Sequence, residues 1–260
     1  MRFIDLNSDV GESFGAFSKG CDKMVLESVT SANIACGFHA GDAGTMRRTM
    51  AICRELGVKP GAHPGYPDMQ GFGRREMSAT AEEIEDYVLY QVGALDGFAR
   101  AEGLKLSHVK AHGALYNRTA KDELAAAAVA RAVKSFDPGL ILVGLANSLM
   151  VRVAKDMGLR AASEAFADRA YNPDGTLVPR AVPGSVIHDR DRVVDRAVRM
   201  ASEGIVLGVD GSPIELEITT ICLHGDTEGA AVLAADIRSA IEALGVRIAP
   251  LNEVLGGAGR

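Results

Sequence analysis

Tryptophan is absent from this 260-residue chain and aromatic residues make up only 5% of it. That scarcity argues against aromatic platforms for single-stranded nucleic acid or glycans. Positive charge is in the minority, with 28 Lys and Arg against 34 Asp and Glu and a formal net charge of −6. Such a balance favours solubility and disfavours nucleic acid and anionic membrane as partners. No apolar run is long enough to span a bilayer, since the longest uncharged stretch, Pro138 to Val151, is short and Gly-rich. The start, Met1-Arg2-Phe3-Ile4-Asp5, has no signal-peptide apolar region. The four cysteines, Cys21, Cys36, Cys53 and Cys222, form no CxxC pair and read as reduced thiols of a cytoplasmic protein. There is no GxxxxGK[ST] phosphate loop, and no HxxxH or HExxH on a helical segment.

What is present is a regular rhythm. Five segments end on a Gly followed by an apolar residue: Leu56-Gly57-Val58, Glu102-Gly103-Leu104, Met157-Gly158-Leu159, Glu203-Gly204-Ile205 and Leu244-Gly245-Val246. This is the signature of a helix stopped by a left-handed residue. Helices are predicted over 22–30, 42–56, 80–102, 121–135, 147–157, 189–203 and 227–244, the third opened by a Thr80/Glu83 capping box. Strands are predicted near 3–9, 31–38, 59–63, 108–113, 139–145, 160–166, 217–224 and 246–250, with a hairpin inserted at Val209-Asp210-Gly211-Ser212-Pro213. Alternating strands and helices with short connections mean βαβ units and a parallel sheet. The first βα turn, Asp9 to Gly15, carries two carboxylates where an open dinucleotide-binding sheet would place phosphate. A distorted α/β barrel of seven or eight strands in a single domain, 1–260, is the expectation.

Four of the six histidines, His39, His63, His112 and His224, sit between an apolar run and small residues, where a strand gives way to a loop. Barrels gather such strand ends on one face. Parity adds companions. Asp5, Asn7 and Asp9 share one face of the first strand while Ile4 and Leu6 share the other. Buried carboxylates are costly unless paired or metal-bound, so these three point to a site or to a hydrogen-bonded polar plug. Lys110 shares the face of His112 and would clamp an anion, or form a structural ion pair with Asp5 or Asp9. Glu164, near Asp168 at a strand end, is a candidate base, ligand or cation partner. His224 with Asp226 would make a base and its orienting carboxylate. His108 reads as a satisfied strand histidine, His188 as a surface residue and Cys222 as inert packing. The long loop from Gly61 to Arg75 offers His63, Asp68, Gln70, Arg74 and Arg75, and a second loop, Tyr171 to Ser185, offers Arg180 for anion binding. Asp9 with His39, His63 and His112 would make a carboxylate–imidazole set for a divalent metal.

Six segments carry a resemblance that runs nearly end to end. They are Asp5-Leu6-Asn7-Ser8-Asp9-Val10-Gly11-Glu12, the stretch from Ser31 to Asp42 containing Cys36-Gly37-Phe38-His39-Ala40-Gly41, Gly61-Ala62-His63-Pro64-Gly65-Tyr66-Pro67-Asp68 with Gly71-Phe72-Gly73-Arg74-Arg75, Val109-Lys110-Ala111-His112-Gly113-Ala114-Leu115-Tyr116-Asn117, Glu164-Ala165-Phe166-Ala167-Asp168-Arg169, and His224-Gly225-Asp226-Thr227. In these the chain resembles the LamB/YcsF family. The resemblance implies a distorted seven-stranded (β/α) barrel of the glycoside hydrolase/deacetylase type. It implies the place of the A component in a three-component, ATP-dependent 5-oxoprolinase, with subunits B and C as partners and 5-oxo-L-proline, ATP and water converted to L-glutamate, ADP and phosphate. Lacking a phosphate loop, the nucleotide site would be atypical or completed by partner subunits. On that chemistry we expect Asp9 and His112 to activate water, and Lys110 and His224 to steady the oxyanion or phosphate. Asp5, Asn7, His39, His63, Arg74 and Glu164 would hold substrate. Two alternatives stand beside this reading, a stand-alone metal-dependent deacetylase or amidohydrolase and a non-catalytic substrate-binding or scaffolding subunit. Homo-oligomerisation is left open.

Overall fold

The computed structural model describes residues 2–224 and 229–257, with the backbone but not the side chain of His224. In chain order its elements are β1 (Phe3–Val10), α1 (Asp22–Leu26), β2 (Ser31–Ala35), α2 (Ala43–Leu56), β3 (Lys59–His63), α3 (Ala81–Ala101), β4 (His108–Lys110), α4 (Gly113–Thr119), α5 (Glu123–Phe136), β5 (Ile141–Leu145), α6 (Leu149–Asp156), β6 (Arg160–Phe166), α7 (Arg190–Glu203), β7 (Ile205–Leu207), β8 (Pro213–Glu215), β9 (Thr220–His224), α8 (Ala230–Ala243), β10 (Arg247–Ile248) and α9 (Leu251–Gly257). Strands β1 to β6 pair in parallel in sequence order, β6 pairs with β9, and β9 pairs back onto β1, which closes a seven-stranded parallel barrel. The two-residue β10 adds a stub at the start of β1. Strands β7 and β8 form a separate antiparallel ribbon around the DG turn.

Local chemistry accounts for the helices. The Thr80 hydroxyl accepts from the Glu83 amide at 3.2 Å and the Glu83 carboxylate accepts from the Thr80 amide at 2.8 Å, completing the capping box of α3. Asp42 caps α2 through the Thr45 amide at 2.7 Å. All five glycines of the repeated stop signal have left-handed φ, from 71° to 80°. Helix α3 buries Ile84, Val88, Val92, Leu95 and Ala99, one stripe at helical spacing that packs on the barrel. Two helices carry no sequence signal of their own. Helix α4 starts on Gly113 directly after the strand exit, so it shows no loop punctuation, and α9 follows the short β10.

The barrel interior is polar. On β1, Ile4 and Leu6 face the helices and are fully buried, while Asp5 and Asn7 are equally buried on the inner face. Ser31, Asn33, His108, Lys110, Glu164 and Thr220 fill the same interior. A side chain at Gly61 would collide with the His108 ring, so this strand position must be bare for the imidazole to fit. Among the described residues no helix is long and apolar enough to cross a membrane.

Candidate active site

The polar interior is layered. In the lowest layer Asp5 accepts from the hydroxyls of Thr30 (2.8 Å), Ser31 (2.6 Å) and Thr220 (2.5 Å). Burial dominates over these bonds and pushes the Asp5 carboxyl up to about 6. Above it, the Asn33 amide donates to Asn7 Oδ1 at 2.7 Å and to Asp9 Oδ1 at 2.8 Å, while the Asn7 amide donates to Thr220 Oγ1 at 2.6 Å. His108 Nε2 reaches Asn33 Oδ1 at 2.8 Å. Burial, and then the nearby Lys110 charge, drives the His108 imidazole down to about 3, so this ring is neutral.

Lys110 forms the centre of the next layer. Its Nζ is 2.9 Å from Asp9 Oδ1, 2.8 Å from Glu164 Oε1 and 3.2 Å from Cys222 Sγ. Only 2% of the side chain is exposed, against 12% for Asp9, so Asp9 is the most accessible member of the set from the cavity above. Burial opposes the ammonium, but the carboxylates of Asp9 and Glu164 outweigh it and hold Lys110 well above the usual lysine range. Burial holds the Cys222 thiol well above its usual range, leaving it an inert neighbour of the charge.

His63 and His112 stand beside Asp9, and their hydrogen bonds can be counted. His63 Nδ1 lies 2.8 Å from the Lys110 carbonyl and His112 Nε2 lies 2.9 Å from the Phe72 carbonyl. A carbonyl only accepts, so both of those nitrogens carry protons. The remaining two nitrogens, His63 Nε2 and His112 Nδ1, face each other at 3.0 Å, and His63 Nε2 is also 3.3 Å from Asp9 Oδ2. That contact is a hydrogen bond when one of the two nitrogens carries a proton, and a proton there would give the pair a positive charge facing Asp9. Burial, then His39 and His63, holds His112 well below the usual histidine range. Lys110 thus stands between Asp9 and Glu164, with the imidazole pair beside Asp9.

His39 lies behind the pair. Strand β2 ends at Ala35, so His39 sits in the loop beyond it, not at the strand end. Its ring stacks on His112 with centroids 3.7 Å apart and planes 3° apart, and meets His63 and Phe72 edge-on. Neither of its ring nitrogens has a hydrogen-bond partner among the described residues. Burial, and then His63, keeps it neutral, well below the usual range. The Gly-rich loop makes this packing possible: a Cβ on Gly65 would lie 2.8 Å from His39 Nδ1, and one on Gly73 would lie 2.8 Å from His39 Cβ and 2.9 Å from His112 Cδ2.

Donor atoms of Glu12, His39, His63 and His112 lie within 4.8 Å of one another, so among the described residues these four side chains are the set that could hold a metal ion. Their present bonds work against it. Glu12 is paired with Lys19 at 3.0 Å, and His63 and His112 are bonded to each other and to carbonyls. Imidazole lone pairs lie in the ring plane, and the parallel planes of His39 and His112 cannot both contain one ion. A metal would need these rings to turn.

A cavity of about 630 Å³ opens above Asp9, His63, Lys110 and His112. Its walls include Arg74, Tyr116, Phe166, Arg169 and Arg180, brought by the end of β6 and the segments after β3, β4 and β6. Of the sequence-derived candidates, Asp9, His63, Arg74, Lys110 and His112 line it. Asp5, Asn7, His39 and Glu164 lie beneath or behind that lining. His224 ends β9 beside Asp9 in register; its side chain and Asp226 lie outside the described residues. Arg75 is paired with Asp68. Asn33, Tyr116 and Arg169 join the site without having stood out individually in the sequence. Asn33 was findable, because Ser31 and Asn33 repeat the polar parity of β1 on β2; Tyr116 and Arg169 lie in a helix and a loop where parity says nothing.

The comparisons with known proteins agree with this architecture. The LamB/YcsF family matches residues 4–256. The chain is 52% identical over 253 residues to a protein of Pyrococcus abyssi (strain GE5 / Orsay) named as the A subunit of 5-oxoprolinase, covering 97% of this chain and 99% of that one. It is 51% identical over 250 residues to the protein of the same name from Bacillus subtilis (strain 168), covering 96% and 97%. Among solved structures it is similar to the lactam utilization protein from Thermus thermophilus, with TM-score 0.90, 46% identity and 96% and 99% coverage. A T48 deacetylase shares the fold at TM-score 0.53 and 15% identity, covering 98% and 92%.

Proposed function

Because this chain belongs to the LamB/YcsF family, we propose that it is the A component of an ATP-dependent 5-oxoprolinase and supplies the acid–base floor on which the lactam ring is opened. The observation that carries this is the set beneath the cavity: Asp9 and Glu164 on Lys110, beside the directly contacting imidazoles of His63 and His112.

A lactam carbonyl is a poor electrophile because nitrogen donates into it. Transfer of the γ-phosphoryl group of ATP to the carbonyl oxygen releases ADP and makes the carbon attackable. Water then adds to that carbon, and Asp9, the exposed carboxylate of the set, takes its proton. The C–N bond breaks as the ring nitrogen accepts a proton from the His63–His112 pair and the hydroxyl of the adduct returns one to that pair, which leaves the γ-carboxyl as an acyl phosphate. A second water hydrolyses that acyl phosphate to L-glutamate and phosphate. Lys110 keeps Asp9 ionised until it acts and offsets negative charge as it builds at the carbon. Subunits B and C are the expected partners in this reading, and the relatives' name as an A subunit supports a multi-subunit enzyme.

Asp9→Asn removes the base and His112→Ala removes one ring of the imidazole pair. Each is expected to cut turnover of the assembled complex by about two orders of magnitude or more, the usual scale of acid–base catalysis, with assembly intact by size-exclusion chromatography. Near-wild-type turnover in both variants would falsify the role given to this floor.

A further inference from the structure

Among the described residues, five cationic side chains line the cavity, Arg74, Lys110, Lys121, Arg169 and Arg180, against three acidic ones, Asp9, Glu76 and Asp174. Lys110 belongs to the floor, where Asp9 and Glu164 hold it. Asp174 accepts from the amide and hydroxyl of Thr176 at 2.9 and 2.6 Å and serves its own turn. The four other cations come from three separate stretches of chain: Arg74 from the loop after β3, Lys121 from between α4 and α5, and Arg169 and Arg180 from the loop after β6.

Arg169 is buried and fixed, donating to the Val178 carbonyl at 2.7 Å and the Ser185 carbonyl at 3.2 Å. Both acceptors belong to its own loop, so the guanidinium also ties that loop down. Burial, followed by the nearby charge of Arg180, pulls Arg169 down to about 10, against the opposing charge of Asp168. Cations from separate stretches of chain thus face one hollow, where an anion would meet several of them at once. Guanidinium groups are suited to phosphate, which they meet with two parallel hydrogen bonds. The hollow is also roomier than the lactam requires. A five-membered ring with one carboxylate is a small ligand, whereas cavities of roughly 300–1,000 Å³ take drug-sized molecules.

We propose that Arg74, Lys121, Arg169 and Arg180 form a polyphosphate subsite on the wall of this cavity. It takes the phosphate tail of a nucleoside triphosphate and turns the terminal phosphate toward the Asp9–Lys110 floor. This rests on the ATP-dependent reading above and gives that reading a nucleotide site built from side chains, where the sequence lacks a phosphate loop.

The test is calorimetric titration of the full-length chain with inorganic tripolyphosphate and, separately, with 5-oxoproline. Tripolyphosphate is expected to bind, with affinity falling steeply as salt is raised. The double variant Arg74→Ala/Arg180→Ala is expected to weaken that binding about tenfold or more, the scale of a lost charge-assisted contact, and to change 5-oxoproline affinity far less. Arg180→Lys, which keeps the charge, is expected to retain most of the tripolyphosphate binding and serves as the folding control beside an unchanged Tm. No binding of tripolyphosphate, or binding that the double variant leaves unchanged, overturns the subsite. Parallel loss of 5-oxoproline binding with tripolyphosphate unaffected also overturns it and makes the wall a carboxylate clamp. Because these titrations need no turnover, a complex that releases no glutamate would sink the functional reading without altering the binding result.

Discussion

Replacing Lys110 with Met removes the cation that lies between Asp9 and Glu164. At the observed separations of 2.9 and 2.8 Å, each attraction is worth roughly 6 kcal/mol at an effective dielectric of about 20, but desolvation of the ammonium cancels much of this. The net cost of breaking such a buried set is about 3–5 kcal/mol. For a chain of this size that corresponds to a fall in Tm of roughly 6–20 °C. The loss has a characteristic pH dependence. Without Lys110, one of the two carboxylates is relieved only by taking up a proton, so its folded-state pKa rises above its unfolded value. Stability from a group shifted in that direction is present at low pH and lost as pH rises. The gap between wild type and Lys110→Met is therefore expected to be narrow near pH 5 and wide near pH 8, measured by chemical unfolding in matched buffers. The double variant Lys110→Met/Glu164→Gln, which restores charge balance, is expected to recover part of the loss. A gap below about 1 kcal/mol, or one that does not change with pH, would refute the claim that Lys110 neutralises this floor.

Other expectations follow from single positions. Asp5, pushed to about 6 by burial, is a group raised in the folded state; its contribution is full below about pH 4 and is lost as pH passes 6. Asp5→Asn lacks this titration, so its stability relative to wild type should improve by up to about 3 kcal/mol between about pH 4 and 7.5 in urea unfolding; a relative decline over that range would contradict the assignment. Gly73 has φ 62° and sits against both stacked rings, so Gly73→Ala is expected to cost about 1 kcal/mol or more of stability. By displacing His112 it should also lower turnover by about tenfold or more; unchanged turnover would show that the ring position is not critical.

Much of this was legible in the sequence because it is periodic. The alternation in Asp5-Leu6-Asn7-Ser8-Asp9 is enough to turn three polar groups inward, and the five Gly stop signals locate helix ends whatever surrounds them. The capping box of α3 is equally local. What no local pattern carries is which inward groups meet. Lys110 chooses Asp9 and Glu164 only once the barrel closes, and Asp5, an equal candidate on parity, is instead surrounded by three hydroxyls two layers below. The loop after β2 was hidden for a different reason: Cys36 to Phe38 reads as a continuation of the strand, but Gly37 and Gly41 adopt positive φ, and the chain turns to bring His39 against His112. The cationic wall is assembled from loops, where spacing says nothing about proximity.

The most direct measurement is glutamate release from 5-oxoproline by this chain combined with its candidate B and C partners, with and without ATP, using wild type and Asp9→Asn. ATP-dependent glutamate from the wild-type complex, formed in proportion to ADP and lost with Asp9→Asn, is the expected result. An assembled complex that hydrolyses ATP without forming glutamate, or that forms glutamate equally well with Asp9→Asn, would contradict the proposal that this chain opens the ring.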